Sequence, residues 1–317
     1  VILAQGDAGE VLRSLGAESV QCCVTSPPYY GQRDYGVEGQ MGLEDSPFDY
    51  VDRLVGLFRE VRRVLAPDGL LWLNLGDAYA SNASRPRDEK VLFDFHRGSD
   101  TPSLENERHG RVAFRGGGIK GKDLIGLPWM VAFALRADGW WLRRDIVWNK
   151  LNCKPESVRD RPTTSHEYLF MLSKSPRYYY DRAAIAEPAG AKRKSGNVKR
   201  RFSQNRTPGG MGHSIPWEGT TRNKRSVWSL PSAHGNGAHY ATFPVALVEP
   251  CILAGSRLGD AILDPFVGTG TTLVAAAAHG RAGIGIDINA GYLGLAASRI
   301  RLASPATPVE FISCLAS

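Results

Sequence analysis

Asp264-Pro265-Phe266-Val267-Gly268-Thr269-Gly270-Thr271-Thr272 is the stretch that decides the fold. It follows a short apolar run, Ala261–Leu263, and leads into the apolar start of a helix, Leu273–Ala278. Strand, glycine turn, helix is the unit from which parallel sheets are wound, and its glycines let a ligand approach the backbone closely. The next strand, Gly283–Ile288, carries Asp287 at its end. In doubly wound sheets a carboxylate about twenty residues beyond such glycines meets a ribose hydroxyl. The plain alternative is that Asp287 caps the last helix, Tyr292–Leu302. The turn lacks the lysine of a phosphate-binding P-loop. Leu273 stands where G-x-G-x-x-G needs its third glycine, which argues against a nicotinamide enzyme.

The same alternation runs through the rest of the chain. Val1–Leu3 and the compact run Val20–Thr25 read as strands around a helix over Ala8–Leu15. Apolar residues at Val51, Leu54, Val55, Phe58, Val61 and Leu65 give Phe48–Leu65 helical spacing, ended by Pro67-Asp68-Gly69 before a strand at Leu70–Leu75. Leu124–Leu135 and Pro244–Leu253 read as helices, and Trp140–Trp148 and Glu167–Ser173 as strands. The expected fold is α/β, a doubly wound and mostly parallel sheet.

Composition narrows the function classes. The 317 residues are 43% hydrophobic and 22% charged, which excludes a disordered or collagen-like chain. A net charge of +7 favours an acidic partner. That excess is local: residues 187–226 hold ten basic residues (Lys192, Arg193, Lys194, Lys199, Arg200, Arg201, Arg206, Arg222, Lys224, Arg225) against Glu187 and Glu218, with Phe202 and Trp217 among them. The pattern points to nucleic acid; the plain alternative is a solvated tail. Residues 82–122, with nine Lys and Arg, six Asp and Glu and Gly116-Gly117-Gly118, read as a long surface insertion. Cys22, Cys23, Cys153, Cys251 and Cys314 form no CxxC, so free thiols in a reducing cytoplasm are expected and a disulfide frame is not. The seven histidines show no metal spacing, and no metal is expected. No apolar window suits a membrane span, and neither a span nor a signal peptide is expected.

Thr25-Ser26-Pro27-Pro28-Tyr29-Tyr30 is the second stretch that bears chemistry. An exocyclic amine on a nucleobase is a poor nucleophile because its lone pair is delocalised into the ring. A site that accepts hydrogen bonds from both amino hydrogens frees that lone pair. Ser26 Oγ suits one and the Pro27 carbonyl the other, with the two prolines holding the carbonyl in place and Tyr29 available to stack on the base. The plain alternative is a proline turn after a strand.

Together the two stretches carry a resemblance. Thr25–Tyr30 resembles the catalytic S-P-P-Y motif of the DNA amino-methyltransferases, and Asp264–Thr272 resembles their D-P-F-x-G-x-G-T-T motif for S-adenosylmethionine. Catalytic motif, basic variable stretch, cofactor motif is the order of the beta group, permuted relative to other methyltransferases. The resemblance covers most of the chain outside 82–122 and 187–226. Asp145–Lys150 and Pro162–Tyr180 resemble family segments that follow the middle strands.

The resemblance implies a Rossmann-like methyltransferase sheet with a small inserted recognition region. Residues 1–186 would form the catalytic part, 187–226 the DNA-recognition region and 227–317 the cofactor-binding part of the same domain. It implies S-adenosylmethionine as cofactor and Ser26, Pro27, Pro28 and Tyr29 as catalytic residues. The cofactor would be held by Asp7, Thr25, His239, Phe243, Pro244, Asp264, Pro265, Phe266, Gly268, Gly270, Thr271, Thr272 and Asp287. Lys150, Lys199, Arg200, Arg201, Arg206, Arg222, Lys224 and Arg225 are expected on double-stranded DNA. Within the family S-P-P-Y is associated more often with N4 of cytosine, so the implied reaction is methyl transfer to that amine of a flipped base. N6 of adenine remains the alternative, with RNA or a protein amide behind it. A homodimer and a cognate restriction endonuclease are raised by analogy. Pro250-Cys251 resembles the nucleophile pair of cytosine C5-methyltransferases, but the chain has no Glu-Asn-Val partner and Cys251 reads as core.

Overall fold

The computed structural model describes residues 1–31, 33–34, 39–80, 106–107, 111–112, 117–189, 220–233 and 243–313. Most of the 82–122 insertion and of the 187–226 stretch lies outside them, as do Lys199, Arg200, Arg201, Arg206 and His239. The strands of the main sheet are β1 (Ile2–Gln5), β2 (Val20–Thr25), β3 (Leu65–Leu75), β4 (Trp141–Lys150), β5 (His166–Ser173), β6 (Val227–Leu230), β7 (Ala261–Asp264), β8 (Ala282–Asp287) and β9 (Glu310–Ser313). Their order is β6-β4-β5-β3-β2-β7-β8-β1-β9. Every pairing is parallel except those of β5, which runs against both β3 and β4. The doubly wound, mostly parallel sheet expected from the sequence is present.

Among the described residues six helices cover the two faces: α1 (Ala8–Ser14), α2 (Pro47–Val64), α3 (Leu127–Ala137), α4 (Val245–Gly255), α5 (Thr271–Ala278) and α6 (Ala290–Ala303). Alternation along the strands sorts side chains between the faces. Cys23, Leu71 and Leu73 join the core under α1, α2 and α3, whereas Cys22, Leu70 and Trp72 join the core under α4 and α5. A third cluster, built on Leu3, Val267 and Leu293, seats α6. Local signals agree with this packing. Ser46 caps α2 by accepting from the Asp49 N–H, Pro47 fills its first turn, and Tyr50, Leu54, Phe58 and Val61 form its buried stripe.

The structure corrects the sequence reading in two places. Helix α2 ends at Val64, and its cap residue Leu65 already begins β3. Pro67-Asp68-Gly69 therefore lies inside that strand, where the register with β2 jumps from Val20–Leu65 to Cys22–Leu70. Proline cannot donate to a ladder, so the extra residues bulge instead of pairing. Strands β6 and β9, four residues each, sit at opposite edges of the sheet where the sequence reading placed no strand. Pro250 lies within α4, inside the helix expected over Pro244–Leu253, and Cys251 is buried as expected.

The topology also says where a ligand belongs. From β2 the chain crosses by α2 on one face to β3; from β7 it crosses by α5 on the other face to β8. Strands β2 and β7 are neighbours, so the carboxyl ends of this pair form the switch point at which open α/β sheets bind their ligands. Among the described residues no helix is long and apolar enough to cross a membrane.

Tight packing around the glycine turn gives a test. Gly270 has φ of +82°, and a Cβ there would come within 2.7 Å of Ala296 Cβ and 3.0 Å of Ala296 Cα on α6. Gly259 has the same φ of +82° with open space around it. Gly270→Ala is expected to lose about 2–4 kcal/mol in urea unfolding, strain plus overpacking, and Gly259→Ala only about 1 kcal/mol. Equal losses would contradict the close seating of the turn on α6.

Candidate active site

A buried carboxylate joins the two chemistry-bearing segments across the switch point. Asp264, the last residue of β7, is 1% exposed. Its Oδ1 accepts from Thr25 Oγ1 at 2.7 Å and from the Phe266 N–H at 3.1 Å, and its Oδ2 accepts from Thr272 Oγ1 at 2.6 Å. Thr25 ends β2 and immediately precedes Ser26, while Thr272 lies in the first turn of α5. Thr25, Asp264 and Thr272 thus satisfy one another and set the spacing of the segments on either side.

The glycine turn is braced from two sides. Asp287, at the end of β8, accepts from the Gly268 N–H at 2.9 Å and from the Asn289 N–H at 2.8 Å. Asn289, not Asp287, is the cap of α6. Arg299 on α6 reaches the Thr269 carbonyl at 2.6 Å and its hydroxyl at 2.7 Å. The Gly270 N–H is taken by the Val267 carbonyl at 2.8 Å. With the Gly268 and Gly270 N–H groups already satisfied, this turn is no phosphate cradle.

S-adenosylmethionine, the cofactor implied by the resemblance, carries a ribose diol and an adenine and no phosphate, and the donor set here fits it. Gly268 has φ of +49° and open space where a Cβ would stand, which admits close approach. The Asp287 carboxylate ends β8, and Asp7, which caps α1 through the Gly9 and Glu10 N–H groups, follows the adjacent β1. Phe266 is half-buried beside the turn, and Phe243 and Pro244 stand at the start of α4.

Ser26-Pro27-Pro28-Tyr29 leaves β2 beside that turn. Tyr50 Oη donates to the Pro28 carbonyl at 2.9 Å and pins the segment to α2. The Tyr29 ring packs against Gly76, where a Cβ would come within 2.6 Å of Cε2. Its hydroxyl is held rather than free: it donates to Glu167 Oε2 at 2.8 Å and accepts from Asn74 Nδ2 at 2.7 Å. Ser26 Oγ lies 3.4 Å from Tyr29 Oη. Burial, with the Glu167 charge beside it, pushes the Tyr29 phenol well above its ordinary value.

Asn74 and Glu167 are site residues that the sequence reading did not assign. Their signal was a polar residue in an apolar strand: Asn74 interrupts Leu70–Leu75, and Glu167 opens the run to Ser173. Lys150, expected on DNA, forms an ion pair with Glu167 and lies 4.7 Å above the Trp148 ring. Arg222 and Arg225 both pair with Glu187, at 3.5 and 2.9 Å, and Lys224 lies 4.9 Å above the Trp228 ring. Cys251 is 1% exposed, and burial pushes its thiol well above the ordinary value. A nucleophilic role for it has no support. Among the described residues no cluster of His, Cys, Asp and Glu could hold a metal ion.

Burial pushes the Asp264 carboxyl up to about 6, against hydrogen bonds from Thr272, Thr25 and the Phe266 N–H that favour its charge. The folded protein therefore holds this proton more tightly than the unfolded chain. The stability contributed by the group falls as pH rises from about 4 through about 6. Asp264→Asn removes that fall. Relative to wild type, the variant should gain on the order of 3 kcal/mol between about pH 4 and pH 7 in urea titrations. A difference that stays constant with pH contradicts the assignment.

Comparison with known proteins gives concordant findings. The N6/N4 DNA methylase family matches residues 20–298. The Type II methyltransferase M.Cfr9I of Citrobacter freundii is 45% identical over 302 residues, covering 94% of this chain and 87% of that protein. The Type II methyltransferase M.SmaI of Serratia marcescens is 45% identical over 295 residues, covering 93% and 89%. A DNA modification methylase of Thermus thermophilus, TTHA0409, solved in complex with S-adenosyl-L-methionine, matches with TM-score 0.58 and 26% identity over 98% of this chain and 99% of its own. The PvuII DNA methyltransferase (cytosine-N4-specific) shares the fold, with TM-score 0.63 and 17% identity over 97% and 94%.

Proposed function

The chain belongs to the N6/N4 DNA methylase family, and on that premise we propose that it transfers a methyl group from S-adenosylmethionine to the exocyclic N4 amine of cytosine in duplex DNA. One observation carries the reading. Ser26-Pro27-Pro28-Tyr29 and the glycine turn, far apart in sequence, meet at the switch point through the 2.7 Å bond between Thr25 and Asp264. The S-P-P-Y form of the motif at Ser26, which within the family is associated more often with N4 of cytosine, supports cytosine over adenine. The names of M.Cfr9I and M.SmaI support a Type II system, and with it a partner restriction endonuclease.

S-adenosylmethionine supplies, when bound, a methyl group on a positively charged sulfur open to attack by a nitrogen lone pair. Asp287 and Asp7 would hold its ribose and adenine, with Phe266, Phe243 and the Gly268 backbone completing the pocket. Ser26 Oγ accepts one amine hydrogen and the Pro27 carbonyl the other, which localises the nitrogen lone pair. The bond from Tyr50 to the Pro28 carbonyl keeps this pair of acceptors fixed before the base arrives, so that catalysis is chiefly positioning and polarisation. The target base is flipped out of the duplex to reach them. Residues 1–186 then form the catalytic part, 187–226 the DNA-recognition region and 227–317 the cofactor-binding part of one domain.

Methyl transfer to mixed-sequence double-stranded DNA, followed by nucleoside digestion and mass spectrometry, tests the reading. N4-methylcytosine is expected. N6-methyladenine would overturn the choice of base, and no methylated nucleoside with cofactor bound would overturn the reaction. Ser26→Ala should lower the single-turnover rate roughly 10²-fold while leaving cofactor affinity by calorimetry unchanged. Equal loss of both would contradict the pocket assignment.

A further inference from the structure

Around Tyr29 the structure builds a polar chain that the reaction as described leaves unused. Ser26 Oγ donates toward Tyr29 Oη at 3.4 Å, and Tyr29 Oη donates to Glu167 Oε2 at 2.8 Å. Both bonds already point toward the carboxylate. Asn74 Nδ2 donates to the same Oε2 at 2.9 Å, and the Lys150 ammonium pairs with Oε1. The antiparallel pairing of β4 and β5 creates this arrangement: it sets Glu167 opposite Trp148, with Lys150 two residues further along the same face. The Glu167 side chain is 13% exposed. A carboxylate this enclosed needs polar partners, and Tyr29, Asn74 and Lys150 supply them.

We propose that Glu167 is the terminal proton acceptor of the reaction, reached from the target amine through Ser26 and Tyr29. The inference rests on amine methylation as the reaction. Attack forms the N–C bond as the C–S bond breaks and leaves the nitrogen positively charged with its hydrogens still attached. One N–H bond then breaks, and its electron pair stays on nitrogen. Ser26 Oγ takes that proton as its own passes to Tyr29 Oη, and the proton of Tyr29 passes to Glu167 Oε2. One proton has moved from product to carboxylate, and solvent removes it between turnovers. Tyr29 can only relay as a phenol, and its burial beside Glu167 keeps that proton on. The 3.4 Å step from Ser26 to Tyr29 is the one that substrate must tighten, as apo catalytic hydrogen bonds commonly require.

The titratable groups facing Glu167 are Lys150 from β4 and Tyr29 from the segment after β2; Asn74 from β3 is neutral. Glu167→Gln and Tyr29→Phe each break the chain with little change of shape. Each is expected to lower the single-turnover rate on wild-type-methylatable plasmid DNA by 10²-fold or more. Cofactor affinity by calorimetry and DNA affinity by fluorescence anisotropy should stay within threefold. The double variant should be no slower than the worse single one, because one relay is cut twice. Glu167→Asp should recover part of the rate. Wild-type transfer in the same assay separates the two readings: its absence overturns the reaction and the relay with it. Wild-type transfer that Glu167→Gln leaves within threefold, or that falls only in step with lost cofactor or DNA affinity, overturns the relay alone.

Discussion

The Asp264 carboxylate is the constraint on which the site depends. It takes three hydrogen bonds inside the protein, from Thr25, Thr272 and the Phe266 backbone. A buried acid left without partners would cost several kcal/mol, so the three donors and the acid stand or fall together. Through Thr25 the carboxylate fixes the end of β2 and hence Ser26. Through Phe266 and Thr272 it fixes the glycine turn and the start of α5. Two segments that the chain order places more than two hundred residues apart acquire a fixed spacing from one side chain.

Topology supplies the rest of the geometry. The two crossovers leave β2 and β7 on opposite faces, so the carboxyl ends of this pair, between the Ser26 segment and the glycine turn, are where an open α/β sheet forms its ligand crevice. Asp287 and Arg299 then hold the turn from β8 and α6. The reversal of β5 brings Glu167 in from the opposite side, beside Tyr29. A strand parallel to its neighbours would have placed residue 167 at the amino ends of the other strands, away from Tyr29.

Much of this was legible in the sequence because it is encoded locally. The glycine turn, the Ser26 segment and the strongly periodic helix α2 each announce themselves within a few residues. What was not legible depends on tertiary pairing. The strands β6 and β9 are four residues long and lie at sheet edges, where there is little hydrophobic alternation to read. The direction of β5 follows from its connections and not from its composition. Lys150 looks like any other basic residue until β5 sets Glu167 beside it. Arg222 and Arg225 differ from Lys150 in a useful way. Their partner Glu187 is shared and their side chains are 42% and 69% exposed. Exposed pairs of that kind are worth about 0–1 kcal/mol, so exchanging Glu187 for a phosphate would cost little.

A structure of the protein with S-adenosylmethionine bound tests the account most directly. The cofactor is expected at the β2–β7 crevice, its ribose hydroxyls on Asp287, its adenine toward Asp7 and its methyl group facing Ser26 and Tyr29. A cofactor seated away from Asp287, or one whose methyl group faces away from Ser26, would contradict the claim that Asp264 joins the two segments into a single methyl-transfer site.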